Sequence, residues 1–223
     1  MKNKTLALIH TSATLVPVFA ELCNTYLPGI NTFNIVDDSL IKNTIREGML
    51  TPATARRVVN YADSAQDAGA DFILYTCSSI GTAVETAATL TTVPVLRVDQ
   101  PMADQAVQTG RRIGVIATLS TTLQPTANLV QRRAAAAGKE IEMVLHLCDG
   151  AFDALMKGDA ATHDAAVTRG LQQLMQQCDV IVLAQASMAR VVGQLSDADK
   201  KIPVLASPPI AIQYLAGLLL KNA

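Results

Sequence analysis

The stretch Asp71-Phe-Ile-Leu-Tyr-Thr-Cys77-Ser-Ser79 is matched 108 residues later by Asp179-Val-Ile-Val-Leu-Ala-Gln185-Ala-Ser187. The same offset lays Leu8-Ile-His10-Thr-Ser12-Ala-Thr14 on Ile116-Ala-Thr118-Leu-Ser120-Thr-Thr122. One residue further on, Pro94-Val-Leu96 matches Pro203-Val-Leu205. Three strand-like segments that recur in one order at nearly one spacing are what two copies of a single unit require. The copies differ where strand gives way to turn, and there Cys77 stands against Gln185.

Around these segments, short β-rich runs alternate with longer helical stretches. Strands are expected at residues 5–9, 33–36, 72–75, 93–98, 112–117, 140–145, 180–183 and 202–205. Most are continuous apolar runs, which suits parallel strands covered on both faces. Thr51-Pro52 reads as an N-cap with Pro at the first helical position, opening a helix to about residue 68 that Gly69 stops. A second helix is expected at 124–137, ended by Gly138, and a third within 159–177. Such alternation gives right-handed βαβ units, hence an α/β fold of two similar doubly wound parallel-sheet domains related by pseudo-two-fold symmetry. The first domain is expected over 1–99 and the second over 100–207, the boundary falling near Asp99-Gln-Pro101. The segment 208–223, with a helix at 210–220, is expected to pack back on the first domain.

Composition narrows the function. Half of the 223 residues are hydrophobic, enough for two packed sheets. Net charge is −1 and no basic run occurs, which argues against nucleic acid and anionic membrane as partners. Trp is absent and aromatics make up only 4%, which counts against base or sugar stacking and so against a sugar-binding module. Cys23, Cys77, Cys148 and Cys178 show no metal-ligand spacing and read as free thiols of a reducing compartment, so the expected location is cytoplasmic. Met1-Lys-Asn-Lys4 and the apolar run behind it imitate a secretory signal. His10, Thr11, Ser12 and Thr14 interrupt that run, and residues 5–9 are needed as a strand. No stretch reaches the ~18 apolar residues of a membrane span.

In open parallel sheets ligands sit beyond the carboxyl ends of the strands, at helix N-termini. Four turns qualify: His10-Thr11-Ser12, Thr76-Cys77-Ser78-Ser79, Thr118-Leu-Ser120-Thr121-Thr122 and Gln185-Ala186-Ser187. All are rich in small hydroxyl residues with free N–H groups, which suits a carboxylate or other small anion. None carries a dinucleotide or P-loop pattern. Cys77 stands at a strand-to-helix turn, where the helix dipole is expected to lower its pKa toward a reactive thiolate. The alternative is a buried apolar cysteine. In a 2-1-3-4 strand order His10 lies beside Cys77, either as a proton relay or as a histidine merely hydrogen-bonded at a strand end. Cys148 follows a strand and either reaches the cleft or packs, Cys23 and Cys178 read as core, and His146 and His163 read as capping or surface residues.

The duplicated halves, the Tyr-Thr-Cys-Ser-Ser turn at Cys77 and the Leu-Ala-Gln-Ala-Ser-Met turn at Gln185 resemble the aspartate/glutamate racemase superfamily, which includes hydantoin and allantoin racemases, maleate isomerase and arylmalonate decarboxylase. That resemblance implies a cofactor-independent, metal-free enzyme acting at the carbon next to a carboxylate of a small acid or amino-acid derivative. It implies a small carboxylate as partner and a homo-oligomer as assembly. One cysteine from each half flanks the substrate in such racemases, one removing the proton and the other returning it. Cys77 matches the first, whereas Gln185, which can neither give nor take a proton, stands at the second. The resemblance thus leaves three readings of this chain. Cys77 acts as nucleophile or sole acid–base group in an isomerisation, decarboxylation or elimination; it works with His10; or the protein binds a carboxylate without catalysis, Gln185 orienting it by its amide, with both donor and acceptor available.

Overall fold

The structure, a computed structural model, describes residues 4–195 and 201–220. Residues 1–3 of the signal-like N-terminus, 196–200 of the expected second domain and 221–223 of the expected C-terminal segment lie outside the described residues. In chain order the first half runs β1 (Thr5–His10), α1 (Leu15–Tyr26), β2 (Asn31–Val36), α2 (Ser39–Glu47), α3 (Pro52–Asp67), β3 (Phe72–Tyr75), a 3-10 turn (Ser78–Ile80), α4 (Gly81–Leu90) and β4 (Val95–Arg97). The rest runs α5 (Gln100–Thr109), β5 (Arg112–Ala117), α6 (Ser120–Ala136), β6 (Glu142–Leu147), α7 (Ala151–Met156), α8 (Ala160–Leu174), β7 (Val180–Leu183), a 3-10 turn (Ala186–Met188), α9 (Ala189–Gln194), β8 (Val204–Ala206) and α10 (Ser207–Leu219). Both sheets are parallel, ordered β2-β1-β3-β4 and β6-β5-β7-β8. The chain is an α/β protein of two similar doubly wound halves. One unit takes in the chain up to Asp99 and from Pro208 onward, the other Gln100–Ser207.

The first unit shows why apolar runs make these strands. Successive side chains point to opposite faces. Ala7, Ile9, Ile73 and Tyr75 therefore face Leu40 of α2, Val58 and Ala62 of α3 and Val84 of α4. Leu6, Leu8, Leu74 and Leu96 face Phe19 and Cys23 of α1 and Ile212 and Leu215 of α10. Each fully buried Leu or Ile contributes about 1.5–3 kcal/mol of transfer free energy. In the second unit Ile116, Ile181 and Leu183 pack with Val167 and Leu171 of α8 and Val191 of α9.

The repeated aspartate has a structural role. Asp71 Oδ2 accepts the N–H of Thr5, at the start of β1, at 2.7 Å. Asp179 Oδ2 accepts those of Arg111 and Arg112 at 2.9 and 2.7 Å, opening β5. Each carboxylate fixes the register of the central strand against its neighbour. The Arg112 and Arg111 N–H groups hold the Asp179 carboxyl below its ordinary value.

Several sequence expectations shift. Strands β2 and β6 are not covered on both faces; they are edge strands whose exposure largely alternates. The residues of β6 pair at 142–147 rather than 140–145, because Glu142 N bonds Arg111 O and the register runs on from there. Helix α6 begins at Ser120, not 124. Leu119 is extended, Ser120-Thr121-Thr122 form the first turn, and Pro125 sits inside the helix, forgoing the bond to the carbonyl four residues back. Helix α3 starts where its cap announces it, the Thr51 hydroxyl accepting the Thr54 N–H at 3.3 Å, a cap worth ~1 kcal/mol. Helices α1 and α2 have no such signal: neither Thr14 nor Asp38 makes a side-chain cap bond.

Candidate functional site

In the first unit, β1 and β3 are neighbours, and Thr76 N bonds Ile9 O at 3.0 Å. Their C-terminal turns therefore meet, bringing His10, Thr11 and Ser12 beside Cys77, Ser78 and Ser79. Cys77 is extended (φ −134°, ψ 125°) and immediately precedes the 3-10 turn Ser78–Ile80, which leads into α4. The groups around it that favour its charged form are the Thr11 hydroxyl, the Ser79 N–H and hydroxyl, and the Ile80 N–H. Cys77 is the one partly exposed thiol of the four cysteines; the others are buried. Burial nevertheless dominates and raises its pKa, the four donors opposing it. This corrects the expected lowering. A single short turn of N–H dipoles does not outweigh desolvation of the charged sulfur, and the resting group is a thiol. Ser12 bonds the Thr14 hydroxyl at 2.8 Å, while Thr11, Ser78 and Ser79 are buried.

His10 is fully buried and uses both ring nitrogens away from Cys77. Nδ1 meets Thr76 Oγ1 and Nε2 meets Asn34 Oδ1, each at 2.9 Å. Its ring lies tilted against Phe19, centroids 5.6 Å apart. A neutral ring that donates Nε2–H to Asn34 accepts the Thr76 hydroxyl at Nδ1. Burial pushes its pKa down, the Asn34 bond opposing. Of the two readings of His10, these contacts are those of a histidine hydrogen-bonded at a strand end, linked to the thiol's turn through Thr76. Sequence reasoning missed Asn34 because it lies on β2 and becomes a partner only through the β1–β2 register, in which Leu8 pairs with Asn34.

In the second unit, Gln185 holds the position of Cys77, extended (φ −135°, ψ 138°) before a 3-10 turn. Its Oε1 accepts the Thr118 N–H at 2.6 Å and the Thr118 hydroxyl at 2.9 Å. A backbone N–H can only donate, so the amide orientation is fixed. The expectation that Gln185 offers both donor and acceptor is corrected: its oxygen is occupied and its Nε2 amino group is what it offers. Thr118 is buried, Ser120 exposed, and Ala186 and Ser187 partly buried. Thr121 has a buried hydroxyl without a hydrogen-bond partner.

The other candidates recede. Cys148 is buried, its S–H directed at the Ala166 carbonyl at 3.7 Å, and burial pushes it up to about 11, as it does Cys23. His163 is not a surface residue: it is fully buried, with Nδ1 2.7 Å from Asp164 Oδ1. Nor does His146 cap a helix; it lies in β6, packed on the Cα of Gly170. Arg97, Arg190 and Arg46 are ion-paired with Asp99, Asp164 and Glu47. At the end of β2, Asp37 accepts from Ser39, Arg57 and Tyr61, a cluster the sequence did not announce. Among the described residues no three His, Cys, Asp or Glu side chains gather as a metal-ligand set, and no helix is long and apolar enough to cross a membrane.

Comparison with known proteins agrees with this arrangement. A glutamate racemase of Bacillus anthracis superimposes with a TM-score of 0.75 at 15% identity, covering 100% of this chain and 84% of that one. An allantoin racemase of Klebsiella pneumoniae gives 0.71 at 18% identity, covering 99% and 89%. The aspartate racemase of Picrophilus torridus gives 0.68 at 13% identity, covering 99% and 94%. At such identities these likenesses establish the fold. A sequence search of curated proteins finds no match. The Asp/Glu/Hydantoin racemase family model matches residues 7–215, nearly the whole of both units, and the chain belongs to that family.

Proposed function

We propose that this protein moves a proton at the carbon next to the carboxylate of a small acid or amino-acid derivative, without a cofactor, and that Cys77 carries the proton. The observation that supports this is that Cys77 is the partly exposed thiol, standing between β3 and the turn into α4, with the Thr11, Ser79 and Ile80 donors favouring its charged form. Such donors are spent on a group whose charged form matters. Proton removal leaves the electron pair on carbon as an enolate-like dianion, which N–H groups and hydroxyls must stabilise in place of a metal. The Thr and Ser hydroxyls and N–H groups of these turns are of the right kind. Burial keeps Cys77 protonated in the free protein, so the base form is a minor species whose share grows with pH.

One observation favours a second reading. A thiol with a raised pKa is better suited to deliver a proton than to take one. In a decarboxylation, carbon dioxide leaves, the electron pair stays on carbon, the thiol proton quenches it, and water reprotonates the sulfur. The test is incubation in deuterated water with a panel of small carboxylates, following deuterium at the neighbouring carbon by NMR. Exchange into recovered substrate, lost in Cys77→Ala, supports the first reading. Deuterium only in a product lacking one carboxylate supports the second. Saturable binding of panel members with neither outcome marks a non-catalytic binding protein.

A further inference from the structure

We infer that Arg97 is a positioning residue for Cys77: its buried guanidinium fixes Gly81, and through Gly81 the 3-10 turn Ser78–Ile80 that joins Cys77 to α4. Arg97 ends β4, in register with Tyr75, two residues before Cys77. It is 2% exposed and Asp99 is fully buried. Nε and Nη2 bond Asp99 Oδ1 and Oδ2 at 2.7 and 2.8 Å, and Nη1 bonds Glu85. A buried ion pair is weak evidence of added stability, since desolvation offsets most of its attraction; fixing a geometry is the better account of one.

Gly81 identifies what is fixed. Its φ of −57° is ordinary helical geometry that any residue adopts, so no backbone conformation calls for glycine here. What calls for it is space: a Cβ would fall on the Arg97 guanidinium carbon and nitrogens. An arginine end-group usually yields to such a clash, but this one is held on three nitrogens by two carboxylates. The guanidinium therefore lies flat against the first residue of α4, one residue beyond Ile80 and two beyond Ser79.

The second unit supplies an internal control. The residue matching Cys77 there is Gln185, the residue matching Gly81 is Ala189, and the residue following Pro203-Val-Leu205, where Arg97 follows Pro94-Val-Leu96, is Ala206. Thiol, glycine and buried arginine occur together in one unit, and the three matching positions of the other carry Gln, Ala and Ala. This role deepens the reading of Cys77 given above, and it is tested on the thiol itself, so either can fail while the other stands.

The charged and titratable groups around the turn are Arg97, Asp99 and Glu85 on the β4 side and His10, through Thr76, on the β1 side; the Tyr75 hydroxyl points away, to the Val58 carbonyl. The variants are Gly81→Ala, which adds the displacing methyl with the charges intact, and Arg97→Met/Asp99→Asn, which removes the buried pair and takes Arg97 from Glu85, whose carboxylate is 36% exposed and reaches water. Iodoacetamide labelling of each cysteine is followed by mass spectrometry across pH, with thermal unfolding in parallel. The expected result is that Cys77 labels about tenfold more slowly near neutral pH and its half-labelling pH rises by about one unit, as loss of donors to the thiolate requires. The buried Cys23, Cys148 and Cys178 should stay as protected as in wild type. Adding Gly81→Ala to the double variant should have no further effect on Cys77, because no guanidinium remains to displace. An unchanged Cys77 profile in variants that unfold cooperatively overturns the assignment. So does faster labelling of all four cysteines, which would mark a purely structural role.

Discussion

The turns at Cys77 and Gln185 are one backbone used twice. Each follows the third strand of its sheet, each opens with an extended residue at nearly the same φ and ψ, and each runs through a 3-10 turn into a helix. In both, a threonine at or just past the end of the neighbouring strand reaches across to that residue: Thr11 to the Cys77 sulfur, Thr118 to the Gln185 oxygen. The scaffold thus supplies a threonine donor in either unit, though from positions one residue apart, since Thr118 matches His10 rather than Thr11. What differs is whether that donor faces a group that can change its charge. Gln185 satisfies it permanently; Cys77 leaves it with something to stabilise when a proton departs.

The largest effect follows directly from this contrast. Cys77→Ala should lower proton exchange by about 10²–10⁴-fold, the span of general acid–base catalysis. Gln185→Ala should cost far less, measured as deuterium incorporation per hour under identical conditions. Comparable losses at both positions would mean that the two turns share the chemistry and that Cys77 does not carry it alone.

Gln185→Cys makes the turns alike and should act in two ways. Inversion should rise relative to exchange on a chiral assay of any accepted substrate, because the second turn gains an acid–base group. Stability should fall by about 1–3 kcal/mol in urea titration, because the buried Thr118 N–H loses its acceptor. Rapid inversion already in the wild type would place the second acid elsewhere.

The pH dependence sharpens the comparison further. Desolvation raises the Cys77 pKa above the ordinary value of a thiol. If the thiolate removes the proton, kcat/KM should climb from neutral through alkaline pH without the neutral plateau that a lowered pKa would give. If the thiol delivers the proton instead, activity should be flat there and fall as pH rises through the raised value. Cys77 should still label before the other cysteines, since it alone is partly exposed.

What the sequence disclosed tracks how local the cause is. The central strands Phe72–Tyr75, Arg112–Ala117 and Val180–Leu183 match their expected bounds because both faces are buried and the apolar run is unbroken. The edge strand β6 slipped by two residues because its exposed positions carry no such signal. The Cys77 turn was legible from the repeat. The sign of its pKa shift was not, being a balance between burial and four donors that come from two separate segments. The second partner of His10 depended on the β1–β2 register, which no run of residues announces.

The smallest expected effect separates His10 from its counterpart Thr118, which cannot titrate. Burial depresses the folded-state pKa of His10 below 6.5, so between that lowered value and 6.5 the unfolded chain binds more protons than the folded one. Stability due to the neutral ring is therefore complete above 6.5 and is lost as pH falls through the depressed value. His10→Gln keeps a neutral hydrogen-bonding side chain but removes the titration. It should lose some stability at pH 7, where the tilted packing on Phe19 and the bonds to Thr76 and Asn34 are imperfectly replaced. It should also flatten the acid limb between the depressed value and 6.5 by at most one proton's worth of slope. Urea titrations at a series of pH values measure both. A wild-type limb as shallow as that of the variant would mean that the ring protonates without penalty in the fold, and that His10 is less enclosed than its contacts indicate.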